Sequence, residues 1–184
     1  MRVMAGHSHW AGIKRQKEVT DKKRGVVFGK LLAAISAAAK RDPDPNFNPR
    51  LRTAVEKAKA SAVPAENIAR AIARASDAAG SVEELVFEAY GPGGIAILIE
   101  ATTDSRNRTV AEIKKVLGDH GGKWAESGSV RWAFAADTER GESAWRAKFP
   151  QAVPREHAEQ LAELLRALEE HQDVQHITTN AAHE

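Results

Sequence analysis

The apolar residues of this chain change their spacing at Gly80, and that change limits the fold more than any other feature. Ahead of it they recur every third or fourth position, as on one stripe of a helix, whereas behind it they alternate or run continuously, as in strands. Residues 22–40 set Val26, Val27, Leu31, Leu32, Ile35 and Ala38 or Ala39 at helical spacing, with Lys22, Lys23, Arg24 and Lys30 largely off the stripe. This predicts an amphipathic helix with a basic shoulder. Asp42-Pro43-Asp44-Pro45-Asn46 breaks it, and Asn48-Pro49 restarts a helix in the preferred order of N-cap and first-turn proline. Leu51, Val55 and Ala58 mark the inner face of this second helix. A third starts near Pro64, turns Ile68 and Ile72 inward and leaves Arg70 and Arg74 outward, and Gly80 closes the segment. The first half is thus expected to be a small helical domain preceded by an extended basic arm.

Beyond Gly80, Leu85–Tyr90 predicts a strand, Gly91-Pro92-Gly93-Gly94 a tight turn, and Ile95–Ala101 a strand buried on both faces. Thr109–His120 fits a helix with Val110, Ile113, Val116 and Leu117 inward, closed by Gly121-Gly122. Strands are expected at Ser129–Ala135 and Ala144–Phe149, joined by the polar turn 137–142. Pro154 opens a last helix on the stripe Leu161, Leu164, Leu165 and Leu168, and Val174–Thr178 is a final strand. From Ile95 the order is β-α-β-β-α-β, the ferredoxin-like pattern of an antiparallel sheet with two helices on one face. The fold class expected is α+β.

Charge divides at the same place. Residues 1–80 hold 16 Lys/Arg and 7 Asp/Glu, whereas 81–184 hold 11 and 18. A basic half attracts a polyanion that the acidic half resists, which favours two domains with different tasks, 1–80 and 81–184. No cysteine occurs, so disulfides, thiolate zinc sites and cysteine nucleophiles are excluded. No apolar run approaches the roughly 20 residues of a membrane span and no signal peptide is evident, so a cytoplasmic location without a membrane partner is expected.

The first thirty residues concentrate the charge, with eight Lys or Arg against two acids, and they hold His7, Ser8, His9 and Trp10 in a polar stretch. Lys14, Arg15, Lys17, Lys22, Lys23, Arg24 and Lys30 are suited to neutralising phosphates, and Trp10 and the imidazoles offer flat faces for a base. His7 and His9 have no third ligand nearby, so no metal site is expected. Arg50 and Arg52 begin a helix, where backbone N–H groups attract phosphate, and they read equally as phosphate contacts or solvated arginines. Gly91–Gly94 lacks the lysine of a P-loop and the spacing of a dinucleotide fingerprint, so it reads as a structural turn. Asp104, Arg106, Asn107 and Arg108 read as a secondary contact loop, with Asp104 capping and the arginines outward, and a purely structural reading stands beside this one. No nucleophile elbow, zinc motif or paired-carboxylate constellation appears, so neither catalysis nor a cofactor is expected.

Several strings resemble the YebC/PmpR family, which includes the mitochondrial translational activator of cytochrome c oxidase. Met4-Ala5-Gly6-His7-Ser8-His9-Trp10 with Ile13-Lys14 resembles its N-terminal signature. In the family's order follow Asn48–Arg52, Tyr90–Gly94, Thr103–Val110, Gly121-Gly122 with Gly128-Ser129-Val130, and Asp173-Val174-Gln175 with Thr179-Asn180. The resemblance implies a helical first domain, α+β further domains and a non-enzymatic role in gene expression. Members are described as DNA-binding transcriptional regulators or as translation factors that act on the ribosome and relieve stalling at proline-rich stretches. Typical members also carry a third domain, inserted between the strand ending near Phe134 and the one starting near Ala144. Here a short turn fills that gap, at a hairpin tip whose shortening leaves the sheet pairings available. Met4 is the expected natural start.

The function expected from these observations is binding of nucleic acid, DNA or ribosomal RNA, with phosphate contacts supplying affinity and the His7–Trp10 segment local fit. The alternatives are a protein-protein adaptor built on the sheet and an enzyme whose site escapes recognition.

Overall fold

The computed structural model describes residues 7–75, 82–136 and 145–182, with side chains from residue 20 onward. Helix α1, His7–Ala39, is 33 residues long. The expected extended arm is therefore helical, continuous with the helix expected from residue 22. Residues 14–23 are rich in Lys, Arg, Gln and Glu, good helix formers, and no proline intervenes before Pro43. Isolated glycines weaken such a segment without ending it. At the rise of an α-helix, α1 is about 50 Å long.

Helix α2, Pro49–Ala60, starts where Asn48 and Pro49 predict. The buried Asn48 caps it, its Oδ1 accepting from the Leu51 N–H at 3.0 Å, while its Nδ2 donates to the carbonyls of Ala38 at 2.8 Å and Asp42 at 2.7 Å. One amide side chain thus joins the end of α1 to the start of α2. Helix α3, Ala65–Arg74, buries Ile68 and Ala71, and the buried Ser36 hydroxyl of α1 donates to the Ala71 carbonyl at 2.8 Å. Ile35, Leu51, Val55, Ala58 and Ile68 fill the core between the three helices. Gly80 and the polar turn 137–142 lie outside the described residues.

The second half is α+β, with two helices on one face of an antiparallel sheet, but its strand membership differs from expectation. Strands β1, Glu83–Tyr90, and β2, Ala96–Thr103, pair along their whole length from Glu83 opposite Thr103 to Tyr90 opposite Ala96. Helix α4, Arg106–Asp119, leads to a short strand not foreseen from the sequence, β3, Lys123–Ala125, on the far side of β1. Strands β4, Phe134–Ala136, and β5, Trp145–Ala147, pair only with each other. Helix α5, Arg155–Glu169, and β6, Val174–Thr179, follow, giving the sheet order β3-β1-β2-β6. β1 is antiparallel to β2 and β3, so β2-α4-β3 is a split βαβ unit. The ferredoxin-like spatial order is reached, but its inner strand comes from ahead of the unit, and the β4-β5 ribbon stands outside the sheet. The physical reason is local: Gly91–Gly94 closes an eight-residue hairpin of low loop-closure cost that takes the edge of β2 the ribbon strands would have needed.

β2 is covered on both sides, as its apolar run requires. Ile95, Ile97, Ile99 and Ala101 pack with Ile113 and Leu117 of α4 and Leu161, Leu164 and Leu168 of α5. Ala96 and Leu98 pack on the opposite face with Val130, Ala133, Phe134 and the half-buried Trp145. The helical half meets the sheet half through polar contacts: Gln175 Nε2 donates to the Lys30 carbonyl at 3.3 Å, Lys40 Nζ to the Val82 carbonyl, and Arg50 pairs with Glu84. Among the described residues no helix is long and apolar enough to cross a membrane.

Candidate nucleic-acid interface

The cations expected to bind phosphate divide into two groups. Lys22, Lys23 and Arg24 are exposed on consecutive positions of α1. Lys23 Nζ stands 3.8 Å from Glu170 of α5 with both side chains well exposed, a separation at which water screens most of the attraction. The Arg24 guanidinium lies over the Phe28 ring at 5.2 Å, which steadies it without neutralising it. The side chains of His7, Ser8, His9, Trp10, Lys14, Arg15 and Lys17 lie outside the described residues; their backbone belongs to α1.

The remaining cations are engaged within the molecule. Lys30 is half-buried, its Nζ donates to the Glu169 carbonyl, and burial, only partly offset by the Glu169 carboxylate, lowers its pKa. Its position is that of a link between α1 and α5. Arg50 forms a two-pronged pair with Glu84 of β1. Arg52 donates to the Pro45 carbonyl at 3.0 Å and the Asn46 carbonyl at 2.7 Å, bracing the turn that precedes α2. The donors of all three are taken up by partners within the molecule.

A cleft of about 400 Å³ opens between α1, α3 and the loop ahead of α4, lined by Gly29, Ser36, Asn67, Arg70, Arg74 and Asp104 among others. Nothing stands within 4 Å of where a Cβ on Gly29 would project, so this glycine keeps the wall of α1 low beside the two arginines. The sequence signals both arginines as outward residues of α3, but that they share a cleft with Asp104 depends on packing between the halves.

Within the Asp104–Arg108 loop the four candidate residues part company. Arg108 is turned inward, pairing with Asp173 at 2.9 Å and Asp104 at 3.1 Å, and its pKa is raised first by the Asp173 hydrogen bond, against a smaller opposing effect of burial. Thr109, fully buried, donates to Asp173 at 2.6 Å. Glu112, His171 and Asp173 bring three potential ligand atoms within 4.8 Å of one another, but Arg108 already supplies this cluster with a positive charge. Its role is to lock α4 against the turn before β6. Arg106 and Asn107 are exposed, with Arg106 3.7 Å from Glu83. Gly91–Gly94 forms the turn the sequence predicts: a Cβ on Gly91 would stand 2.9 Å from Leu161 Cδ1, and Gly93 has φ 74°.

Glu88 in β1 carries a role its sequence position does not signal. Its buried carboxylate accepts from the N–H groups of Gly128 at 2.7 Å, Val130 at 2.8 Å and Arg131 at 3.0 Å. Burial alone would raise its pKa, but these hydrogen bonds and the Arg131 charge outweigh it and hold the pKa below the ordinary value. The loop they fix carries Trp132, which is 63% exposed beside Phe149 at 54%. Neither aromatic stood out in the sequence, although both have a basic neighbour.

Residues 8–78 match the family model described as TACO1/YebC protein N-terminal domain, and residues 82–139 match the model for the TACO1/YebC second and third domain. Among curated proteins, a probable transcriptional regulatory protein of Koribacter versatilis (strain Ellin345) is 54% identical over 134 residues, covering 72% of this chain and 54% of that protein. Another from Prochlorococcus marinus (strain MIT 9313) is 52% identical over 140 residues, covering 74% and 57%. The chain thus spans a little over half the length of these relatives. The solved structure of a conserved hypothetical protein from Aquifex aeolicus is similar over 87% of this chain and 90% of its own, with 30% identity and a TM-score of 0.78.

Proposed function

The chain belongs to the TACO1/YebC family, and from that premise we propose that it is a non-catalytic regulator of gene expression acting by binding nucleic acid. The observation that carries this reading is the run Lys22-Lys23-Arg24, exposed on α1 in a half with 16 Lys/Arg against 7 Asp/Glu. Consecutive positions fan these three side chains around α1, so they present positive charge over a wide arc of the helix, which suits a phosphate backbone. Arg70 and Arg74 in the cleft extend the basic surface, and the front of α1, with His7, Ser8, His9, Trp10, Lys14 and Arg15, supplies aromatic and basic groups for local fit. The relatives' names support a role in regulation.

In this reading residues 1–80 engage the nucleic acid and 81–184 position it or hold a protein. The third domain of longer relatives would enter between β4 and β5, so contacts made through it are the function this chain does without. Crosslinking in cells, followed by sequencing of the attached nucleic acid, tests the proposal. Enrichment of ribosomal RNA identifies a translation factor working at the ribosome, and enrichment of promoter DNA identifies a transcriptional regulator. Recovery of neither, with proteins crosslinked instead, replaces the proposal by an adaptor role.

A further inference from the structure

The β4-β5 ribbon and its flanks break the electrostatic pattern of their half. Residues 123–151 hold five Lys/Arg and four acids, whereas the rest of 81–184 holds six and 14. On this less acidic stretch stand two exposed aromatic rings, Trp132 and Phe149, with centroids 5.7 Å apart and planes inclined at 43°. Trp124 and Trp145, by contrast, are half-buried, Trp124 against Phe87 and Trp145 beneath Arg131.

The pair is held in place. The Trp132 indole N–H donates to the Ser129 carbonyl at 2.8 Å, so its polar edge is satisfied and its orientation fixed while most of its surface meets water. Lys148 Nζ donates to the Trp132 carbonyl at 3.1 Å and lies 5.5 Å from the Phe149 ring centre, tying the two residues together from neighbouring segments. Beneath them the buried Glu88 carboxylate fixes the loop that carries Trp132. Two large exposed rings whose neighbours prevent their collapse onto the protein are costly in water and pre-organised for a flat partner.

We propose that Trp132 and Phe149, flanked by Arg131 and Lys148, form a stacking platform for unpaired bases of a single-stranded nucleic acid. Rings supply faces for bases, and the two cations beside them would attract the adjoining phosphates. A protein segment would use the rings equally well, but the cations beside them, Lys148 at the Phe149 ring and Arg131 next to Trp132 in the chain, favour a polyanion. The platform rests on the reading of the chain as a nucleic-acid binder and adds a contact remote in sequence from the basic helix, selective for unpaired bases.

Photocrosslinking with a 4-thiouridine-containing RNA 20-mer and with a 4-thiothymidine-containing DNA 20-mer, each single-stranded, followed by peptide mass mapping, reads both sites in one experiment. Crosslinks in the peptides holding Trp132 or Phe149 are expected, alongside those from the front of the chain. The W132A/F149A double variant, with both changes at exposed positions, is expected to keep its Tm and lose about ten-fold in affinity for the single strand, with duplex affinity unchanged. W132F, which keeps a ring, is expected to restore most of the loss relative to W132A. Crosslinks confined to the front of the chain would overturn the platform and leave the proposed function standing; no crosslinks at all would overturn both. A monomer-dimer equilibrium abolished by W132A/F149A would assign the rings to a second copy of this chain and overturn the proposal as well.

Discussion

The two halves use charge in opposite ways. In the helical half Lys22, Lys23 and Arg24 stand in water, and the core beneath the helices is assembled from alanines and a few larger residues such as Ile35 and Leu51. In the sheet half the most constrained charges are structural: Glu88 holds a loop by three backbone hydrogen bonds, and Arg108 is enclosed by Asp104, Asp173 and Glu112. The difference teaches that the Lys22–Arg24 charge of the first half is available to a partner, whereas the buried Glu88 and Asp173 of the second are committed to its own fold. Composition separates the halves by the sign of their charge but does not show which charges are engaged, because both are similarly rich in charged residues.

Substitutions that sharpen this contrast differ in size. The largest loss of stability is expected from E88A, which leaves three buried or half-buried N–H groups without an acceptor and costs about 3 kcal/mol in chemical denaturation. Because the folded pKa of Glu88 is depressed, its contribution is present above the unfolded carboxylate range and is lost as pH falls through the lower folded value, so E88Q is expected to flatten that acid limb. Next comes N48A in the helical half, which removes a cap and two hydrogen bonds to carbonyls and costs about 2 kcal/mol by the same measurement.

Glu100 predicts a change of opposite sign. Burial, with a lesser push from Glu84 and against a hydrogen bond from Trp145, raises its pKa to about 7. The folded state therefore holds a proton that the unfolded state releases, and stability falls as pH rises from the ordinary carboxylate range to about 7. E100Q is expected to stabilise the protein at pH 8 by about 1 kcal/mol, after allowance for its partial exposure, and to change little below pH 4. Denaturant midpoints across pH check this. The smallest effect on stability, under about 0.5 kcal/mol, is expected from K22A/K23A/R24A, whose side chains face solvent. A large loss there would erase the contrast between outward and inward charge.

Local features were legible in the sequence. Asn48-Pro49 announces a helix start, Gly91–Gly94 a turn, and the run 95–101 a strand covered on both faces, because each depends on residues adjacent in the chain. What escaped depends on distant partners. β1 was visible as a strand, but that it displaces β4 and β5 from the sheet is a competition between pairings that periodicity does not rank. The helix over 7–21 was hidden by charge, which marks a segment as polar without deciding whether it is coiled. Lys30, Arg50 and Arg52 show only their charge in sequence. That Lys30 meets Glu169 and Arg50 meets Glu84 comes from packing across 139 and 34 positions. The Trp132 and Phe149 pair escaped for the same reason: 17 positions separate two rings that the ribbon brings together.

The proposed binding depends on the cations of α1 contacting a sugar-phosphate backbone, and its salt dependence tests this most directly. Affinity for a duplex and a single strand, measured by fluorescence anisotropy between 50 and 200 mM salt, is expected to fall steeply, with a log-log slope of roughly −0.9 per duplex phosphate contacted. K22A/K23A/R24A is expected to weaken binding and flatten that slope by about two to three units while leaving the fold intact. Absence of binding at the lowest salt, or a slope identical in the wild-type and triple-alanine proteins, would contradict it.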